Sequence, residues 1–406
     1  MEIGTPGCVV RKGASMELRS VEQADVGGRS VLVRVDFNVP LSEGEVADDT
    51  RVRASLPTVE YLLEHDAKVV LISHLGRPEG RVVDELRLAP VGRCLAELLD
   101  RPVQQLDNCV GPAVEEAVVA GGPGDVFLLE NVRFHRAETT NESEFARQLA
   151  RLGDLYVNDA FATVHRAHAS TVGIADHLPA YAGLLMKQEI DALSTLESPG
   201  RPYVAIVGGK KARSKLGALR DLVSRVDEIL IGGGVAMTFL RAFGAEVGDS
   251  AVDEELFDEI REIQAAADRE NTQIHLPEDV VIGVDLSADG ETRICDARSI
   301  PAGWQAFDVG PETVERFAER ILGAKTLVWT GPLGAFEWDA YAAGTRGIGE
   351  AVAESGAYSV IGGGETGEAV ARFGLTDRVS YVSTGGGACL AFLRGKHLPA
   401  LEALAP

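Results

Sequence analysis

The chain has 406 residues, 45% of them hydrophobic, and a formal net charge of −23 from 62 acids against 39 bases. That length accommodates two domains of roughly 100–200 residues each. No apolar run approaches the ~18–20 residues of a membrane span, and dispersed acidity argues against a duplex nucleic acid as partner, which needs a basic face.

The first twenty residues hold no apolar signal core, so a cytoplasmic location is expected. Patterned sequence begins only after Met16, which makes Met16 an alternative start to Met1. The five cysteines, at 8, 94, 109, 295 and 389, form no C-x-x-C pair, which speaks for neither a zinc site nor a disulfide framework. Of the basic residues 8 are lysines; this lysine-poor, acid-rich balance resembles that of proteins from salt-loving microbes.

In chain order, SVLVRV (30–35) is the first predicted strand, and DFNVP follows it with Asp36 and Asn38. Arg51 then opens an amphipathic stretch whose apolar spacing of three and four predicts a helix. KVVLIS (68–73) runs into His74 and Arg77, DVFLLE (125–130) into Arg133, and DLYV into NDAFATVHRAHAS with Arg166. Each arginine alone reads as a solvated surface group. Four of them, with a histidine, at strand exits read as a pocket for a small polyanion, because the planar guanidinium grips phosphate or carboxylate with two parallel bonds. His165 and His168 read as structural.

A helix over LLMKQEIDALSTLE ends at Ser198-Pro199-Gly200, which puts one domain at 1–185, a linker helix at 185–200 and a second domain at 186–395. The second half repeats the strand–helix alternation with YVAIVG (203–208), EILIGG (228–233), KTLVWT (325–330) and YSVIGG (358–363). All these runs are continuously apolar, as parallel strands buried on both faces are. The expected class is therefore α/β, with two Rossmann-like doubly wound parallel-sheet domains separated by a cleft.

Strand exits in the second half are glycine-rich: VGGKKARSK, IGGGVAMTF, IGGGETGEA and STGGGACLAF. Glycines let a phosphate approach the backbone, and the helix N-terminus that follows favours an anion. One such turn alone reads as tight strand-to-helix packing; four, with Lys211 and Lys215 beside the first, read as a nucleotide-phosphate site. Neither the P-loop nor the dinucleotide fingerprint is present in its proper context.

With RVDFNVP, SHLGRP, LENVRFH, NDAFATVHRAH, GPLGAFEW, GGGETG and STGGGA in this order, the chain resembles the phosphoglycerate kinases from Val31 to Pro399. The resemblance implies two Rossmann-like domains that close by hinge bending, with a C-terminal segment, 396–406, crossing back to the first. It implies reversible transfer of a phosphoryl group from 1,3-bisphosphoglycerate to magnesium-bound ADP, giving 3-phosphoglycerate and ATP, in glycolysis and gluconeogenesis. It also implies residue roles. Asp36, Phe37, Asn38, Arg51, His74, Leu75, Gly76, Arg77, Arg133 and Arg166 match the phosphoglycerate site. Lys211, Lys215, Gly310, Glu337, Gly363, Gly364, Glu365 and Thr366 match the nucleotide site, with Glu365 as the magnesium carboxylate. Arg51, Lys211, Gly363 and Gly386, the last within the Gly385–Gly387 turn, match positions around the transferring group. The chain departs from the pattern at Glu365, where Asp is usual, and at Lys210, Ser214 and Thr330. A monomer is expected, with no nucleic-acid or membrane partner.

Attacking groups in both directions of that reaction are already ionised at neutral pH, so no general base is expected; positioning and electrostatics should carry the catalysis. Two other classes stay open on the residues: a Rossmann-type dehydrogenase, opposed by the missing fingerprint, and a non-catalytic nucleotide- or anion-binding relative, kept open by Glu365, Ser214 and Thr330.

Overall fold

In the computed structural model the apolar runs of the first half become a wholly parallel sheet of six strands. These are β1 (Ser30–Arg34), β2 (Lys68–Ile72), β3 (Gln104–Gln105), β4 (Val126–Leu128), β5 (Leu155–Asn158) and β6 (Ala180–Ala182). They lie in the order β3-β4-β2-β1-β5-β6, all pairs parallel. The structure describes residues 18–287 and 290–405; Met1, Met16 and Cys8 lie outside them.

Burial on both faces explains why these strands read as continuous rather than alternating. Val31, Val33, Val69, Leu71, Val126 and Leu128 join one buried cluster, while Leu32, Val70 and Phe127, a residue out of step with them, are buried on the other face. Within DVFLLE the strand stops at Leu128, because Glu130 turns its carboxylate to the N–H groups of Leu88 (3.0 Å) and Asn131 (2.8 Å).

The chain groups into two units, one reaching Glu197 and including the segment from Leu398, the other spanning Ser198–His397. Helix α2 (Leu184–Ser194) belongs to the first, after α1 (Thr50–Glu64). Its start is tied down by Leu184 N donating to Thr58 Oγ1 (2.9 Å) and Met186 N to Asp159 Oδ1 (3.0 Å). From the far end of the chain, Ala400 N donates to Val164 O (3.2 Å), with Leu401 and Leu404 buried beside it.

The second unit begins with β7 (Tyr203–Val207), β8 (Glu228–Ile231) and β9 (Gln273–His275). Three antiparallel strands follow, β10 (Asp279–Gly283), β11 (Thr292–Asp296) and β12 (Gln305–Val309), in the order β11-β10-β12. β13 (Thr326–Thr330), β14 (Tyr358–Gly362) and β15 (Tyr381–Ser383) then complete a second parallel sheet, ordered β9-β8-β7-β13-β14-β15. The antiparallel sheet has no counterpart in the sequence reading: its outer strand, TRICD, is mostly exposed and lacks a clean apolar pattern.

Both parallel sheets start in the middle. The first runs outward from β1 and returns on its other side as β5; the second does the same about β7 and β13. Loops leaving adjacent strands at such a reversal part to opposite sides and leave a crevice beyond their carboxyl ends, where ligands bind in open α/β sheets. Among the described residues no helix is long and apolar enough to cross a membrane.

Candidate active site

In the first unit the exits of four neighbouring strands, β4, β2, β1 and β5, carry the sequence-predicted anion residues. The loops are laced to one another rather than merely adjacent. Phe37 N donates to Ser73 Oγ (2.9 Å), and Gly76 N donates to Asn38 Oδ1 (2.8 Å). Arg133 Nη1 donates to Gly76 O (2.7 Å) and Asn131 Nδ2 to Leu75 O (2.8 Å). Phe37 and Leu75 are buried and support these loops from below. Asp36 stands on the β1 exit and receives Arg51 Nη1, from the first turn of α1, on Oδ2 at 2.5 Å.

Arg77, Arg133 and Arg166 line one hollow of about 610 Å³, together with Glu79, Arg136 and His168. The electrostatics report the same convergence. Burial lowers the Arg133 pKa to about 10, with Arg166 and Arg34 adding repulsion. Burial also lowers Arg166, with further repulsion from Arg77 and Arg34. Guanidinium groups this buried and crowded carry both a desolvation and a repulsion penalty, and an anion placed among them relieves both. Arg133 Nε is buried and has no hydrogen-bond partner among the described residues, a cost that comes on top of the burial of its charge.

Sequence reasoning missed several supporting residues. Arg34 is completely buried inside β1, where its position in an apolar run was the one available signal. Glu138 and Ser170 are also fully buried, and Asn131 caps the short 3-10 turn that carries Arg133 by accepting from its N–H (3.1 Å). Arg136 also joins the hollow, a residue the sequence reading did not single out. His168, which read as structural, lines the hollow and faces the Glu138 carboxylate at 3.6 Å.

In the second unit the glycine-rich exits of β7, β13, β14 and β15 meet around Lys215. Lys215 Nζ donates to Thr330 Oγ1 (3.0 Å). Burial lowers its pKa, with the Glu365 carboxylate pulling the other way. Gly331 N donates to Thr366 Oγ1 (2.7 Å) and that hydroxyl donates on to Gly362 O (3.2 Å). Gly363 has φ +108°, a conformation that side chains with a Cβ rarely adopt, and it starts α6 (Gly364–Arg372), numbered after α3 (Gly233–Ala242), α4 (Pro311–Leu322) and α5 (Ala343–Glu354). Helix α7 (Gly386–Leu393) starts against it: a Cβ on Gly386 would lie 3.7 Å from Gly363 Cα and 3.9 Å from Gly364 N. Two helix N-termini therefore open side by side, a backbone arrangement suited to phosphate.

Other predicted residues are placed differently. Lys210, Lys211 and Glu365 are exposed; Ser214 Oγ bonds back to Lys211 O (2.8 Å). Glu337 is exposed in the loop after β13, its carbonyl accepting from Arg372 Nη1 (2.9 Å). Gly310 is buried at the end of β12, where it starts α4 against Asp279.

Comparison with known proteins gives these two surfaces a family. The family model described as phosphoglycerate kinase matches residues 21–396. The chain belongs to the phosphoglycerate kinase family. A solved phosphoglycerate kinase from Coxiella burnetii is 41% identical, with 96% of this chain and 99% of that chain covered and a TM-score of 0.84. One from Pyrococcus horikoshii OT3 is 33% identical, covering 95% of this chain and 98% of its own, with a TM-score of 0.86. The chain is thus an enzyme of the phosphoglycerate kinase family, with the α/β architecture of its members.

One buried carboxyl gives the second unit a pH dependence. Asp308, at the end of β12, accepts from Gly344 N (2.6 Å) and Val309 N (3.0 Å), fastening the start of α5. Thr345 of that helix in turn accepts from Leu333 N and Gly334 N (3.1 and 3.0 Å). Burial raises the Asp308 pKa from 3.8 to about 7, against the pull of the Gly344, Val309 and Thr345 N–H groups. Between about pH 4 and pH 7 the folded state keeps a proton that the unfolded state releases, so this carboxyl's contribution falls as pH rises and levels off above about pH 7. Asp308→Asn cannot titrate. Its unfolding free energy should therefore gain on the parent by about 2–4 kcal/mol between pH 4 and pH 8, read by denaturant titration; a pH-independent difference would show that Asp308 is ionised throughout.

Proposed function

We propose that this enzyme reversibly transfers a phosphoryl group between 1,3-bisphosphoglycerate and ADP, giving 3-phosphoglycerate and ATP, in the cytoplasm and as a monomer. The observation that carries the reading is the pairing of two unlike surfaces in one chain of this family. One is a hollow walled by Arg77, Arg133 and Arg166 at the strand exits of the first unit. The other is the pair of helix N-termini at Gly363 and Gly386 beside Lys215 in the second.

On this reading Arg77, Arg133 and Arg166 hold the phosphate of the three-carbon acid, while Asp36, Asn38 and His74 orient its hydroxyl and carboxyl end. Gly363, Gly364, Thr366 and Lys215 hold the nucleotide phosphates, with Glu337 at the ribose and Gly310 on the nucleotide side. Both nucleophiles, a carboxylate and an ADP oxygen, are ionised at neutral pH, so no residue has to remove a proton. What slows the reaction is repulsion between anions and the charge on the equatorial oxygens of the transferring group. Arg51, Lys211 and the amides at Gly363 and Gly386 offset that charge, and do so best when the two surfaces are brought together and water is excluded.

Glu365 suits magnesium. It is an exposed hard-oxygen donor in the first turn of α6, close enough to Lys215 to act on its charge. Magnesium is commonly held by one or two carboxylates plus nucleotide phosphates. When bound, the ion would neutralise phosphate charge at that helix start.

The test is a coupled assay with ATP, magnesium and 3-phosphoglycerate. Turnover that needs all three supports the proposal. Nucleotide binding without turnover would leave a non-catalytic relative, and a nicotinamide-dependent reaction would replace the proposal with a dehydrogenase.

A further inference from the structure

The buried residues beneath the first site form a chain with a fixed direction. Arg34 Nη2 lies 3.0 Å from His74 Nδ1, Arg34 Nε donates to Ser170 Oγ (2.8 Å), and Arg34 Nη1 donates to Val35 O. Ser170 Oγ donates to Glu138 Oε1 (2.7 Å) and Ser170 N to Glu138 Oε2 (2.9 Å). Arg34, Ser170 and Glu138 are fully buried and His74 is 3% exposed.

We infer that His74 works as a neutral donor through Nε2, locked in that tautomer by Arg34, with Glu138 and Ser170 as positioning residues that hold Arg34 in place. A guanidinium has no acceptor and does not lose its proton. The ring nitrogen facing it must then offer a lone pair, so the single proton of the imidazole sits on Nε2. A serine hydroxyl with one proton can accept from Arg34 and donate to Glu138 at the same time, which the two distances require. Among the described residues Arg34 touches no carboxylate directly. Its counter-charge is Glu138, reached through Ser170.

Groups facing His74 from every neighbouring element agree with a neutral ring. Arg34 of β1, Arg133 after β4, and Arg166 and His168 after β5 all oppose its protonation, and burial opposes it most. Among the described residues the acid paired with the ring is Asp36, after β1, with Oδ1 at 3.8 Å from Nδ1; that is beyond hydrogen-bond reach, and its other oxygen is engaged by Arg51. Glu138 is desolvated, which raises its pKa, yet the His168 ring nearby, the charge of Arg34 and the hydrogen bond from Ser170 prevail and lower it. It therefore stays a carboxylate. Among so many cations an uncharged ring adds direction without adding repulsion, so His74 selects where a ligand oxygen sits rather than how strongly anions are drawn in.

The functional side of this inference rests on the phosphoglycerate reading, but the tautomer can be measured without turnover. The full chain with ¹⁵N-labelled histidine is compared with His74→Gln to assign the ring. A protonated Nε2 and a bare Nδ1, unchanged from about pH 6 to pH 8, is the expected result. A proton on Nδ1, or titration in that range, overturns the inference. Ser170→Ala, which cuts the link to Glu138, should mix the two tautomers and raise KM for 3-phosphoglycerate about 10-fold while KM for ATP holds; Ser170→Thr, which keeps the hydroxyl, should restore both. A Ser170→Ala protein with the parent His74 signature overturns the positioning role, and if that variant does not fold, Glu138→Gln supplies the same comparison. Absence of phosphoglycerate turnover in the parent would sink the functional reading and leave the tautomer to the spectrum.

Discussion

Arg51→Ala is expected to lower kcat by about 100-fold or more while the protein stays folded. The side chain sits in the first turn of α1, a third exposed, and among the described residues its ion-pair partner is Asp36. Loss of that ion pair costs about 1 kcal/mol at such a site, and alanine is the better helix former, so the melting temperature should move by only a few degrees. Catalysis is another matter. If the guanidinium offsets charge on the transferring phosphoryl, its removal is felt only in the transition state, so kcat falls and KM for 3-phosphoglycerate changes little. Arg51→Lys separates charge from shape: it keeps the cation, loses the planar fork and should fall between the two. Steady-state kinetics with a melting curve on each variant decides it. Near-parent turnover in Arg51→Ala would remove this arginine from the reaction.

Asp36 makes the prediction sharper. It is nearly buried and holds Arg51 at 2.5 Å, so the arginine is aimed before any ligand arrives. Preorganisation of this kind lowers the reorganisation needed during reaction. The same contact leaves the rest of the guanidinium available, since one of its five donors is engaged by Asp36.

The parallel strands were legible because burial on both faces writes an unbroken apolar run, as in VLVR at β1 and YVAIV at β7. The strand-exit residues followed from them: Asp36, His74 and Arg133 each come within a few residues of such a run, and Arg166 lies further along the loop that leaves Leu155–Asn158. What stayed hidden has physical reasons. Gln104–Gln105 forms a strand of two polar residues, too short to carry a period. TRICD pairs along β10 while mostly exposed, so its register comes from backbone bonding to Asp279–Gly283 rather than from its side chains. Arg34 is a charge inside an apolar run, and nothing local tells a buried arginine from a snorkelling one. Its partners Ser170 and Glu138 lie over a hundred residues away, a separation that only the fold closes.

Gly208→Ala should be the most damaging single methyl group in the second unit. Its carbon would lie 2.1 Å from the Pro332 carbonyl oxygen and 2.6 Å from that of Gly331. No rotamer relieves a Cβ, and both obstacles are backbone. Relief requires the exits of β7 and β13 to separate, yet Gly208 N bonds to Thr330 O (2.9 Å) and Gly209 N to Pro332 O (2.8 Å) across that seam. Gly331, itself at φ +88°, would have its own Cβ 2.2 Å from Gly208 O, so neither strand exit has slack. We expect a loss of about 3 kcal/mol, equivalent to roughly 10 °C in the melting of a unit this size. The three tryptophans, at 304, 329 and 338, all fall in the second unit, and Trp329 Nε1 donates to Gly331 O (2.9 Å). Tryptophan fluorescence should therefore report the loss directly. Moving this seam also shifts Thr330, and with it the Lys215 contact, so KM for ATP should rise at least about 10-fold, while binding of 3-phosphoglycerate to the first unit holds. Parent melting with parent KM would mean that the two strand exits part freely, and that the glycines there answer to something other than this close approach.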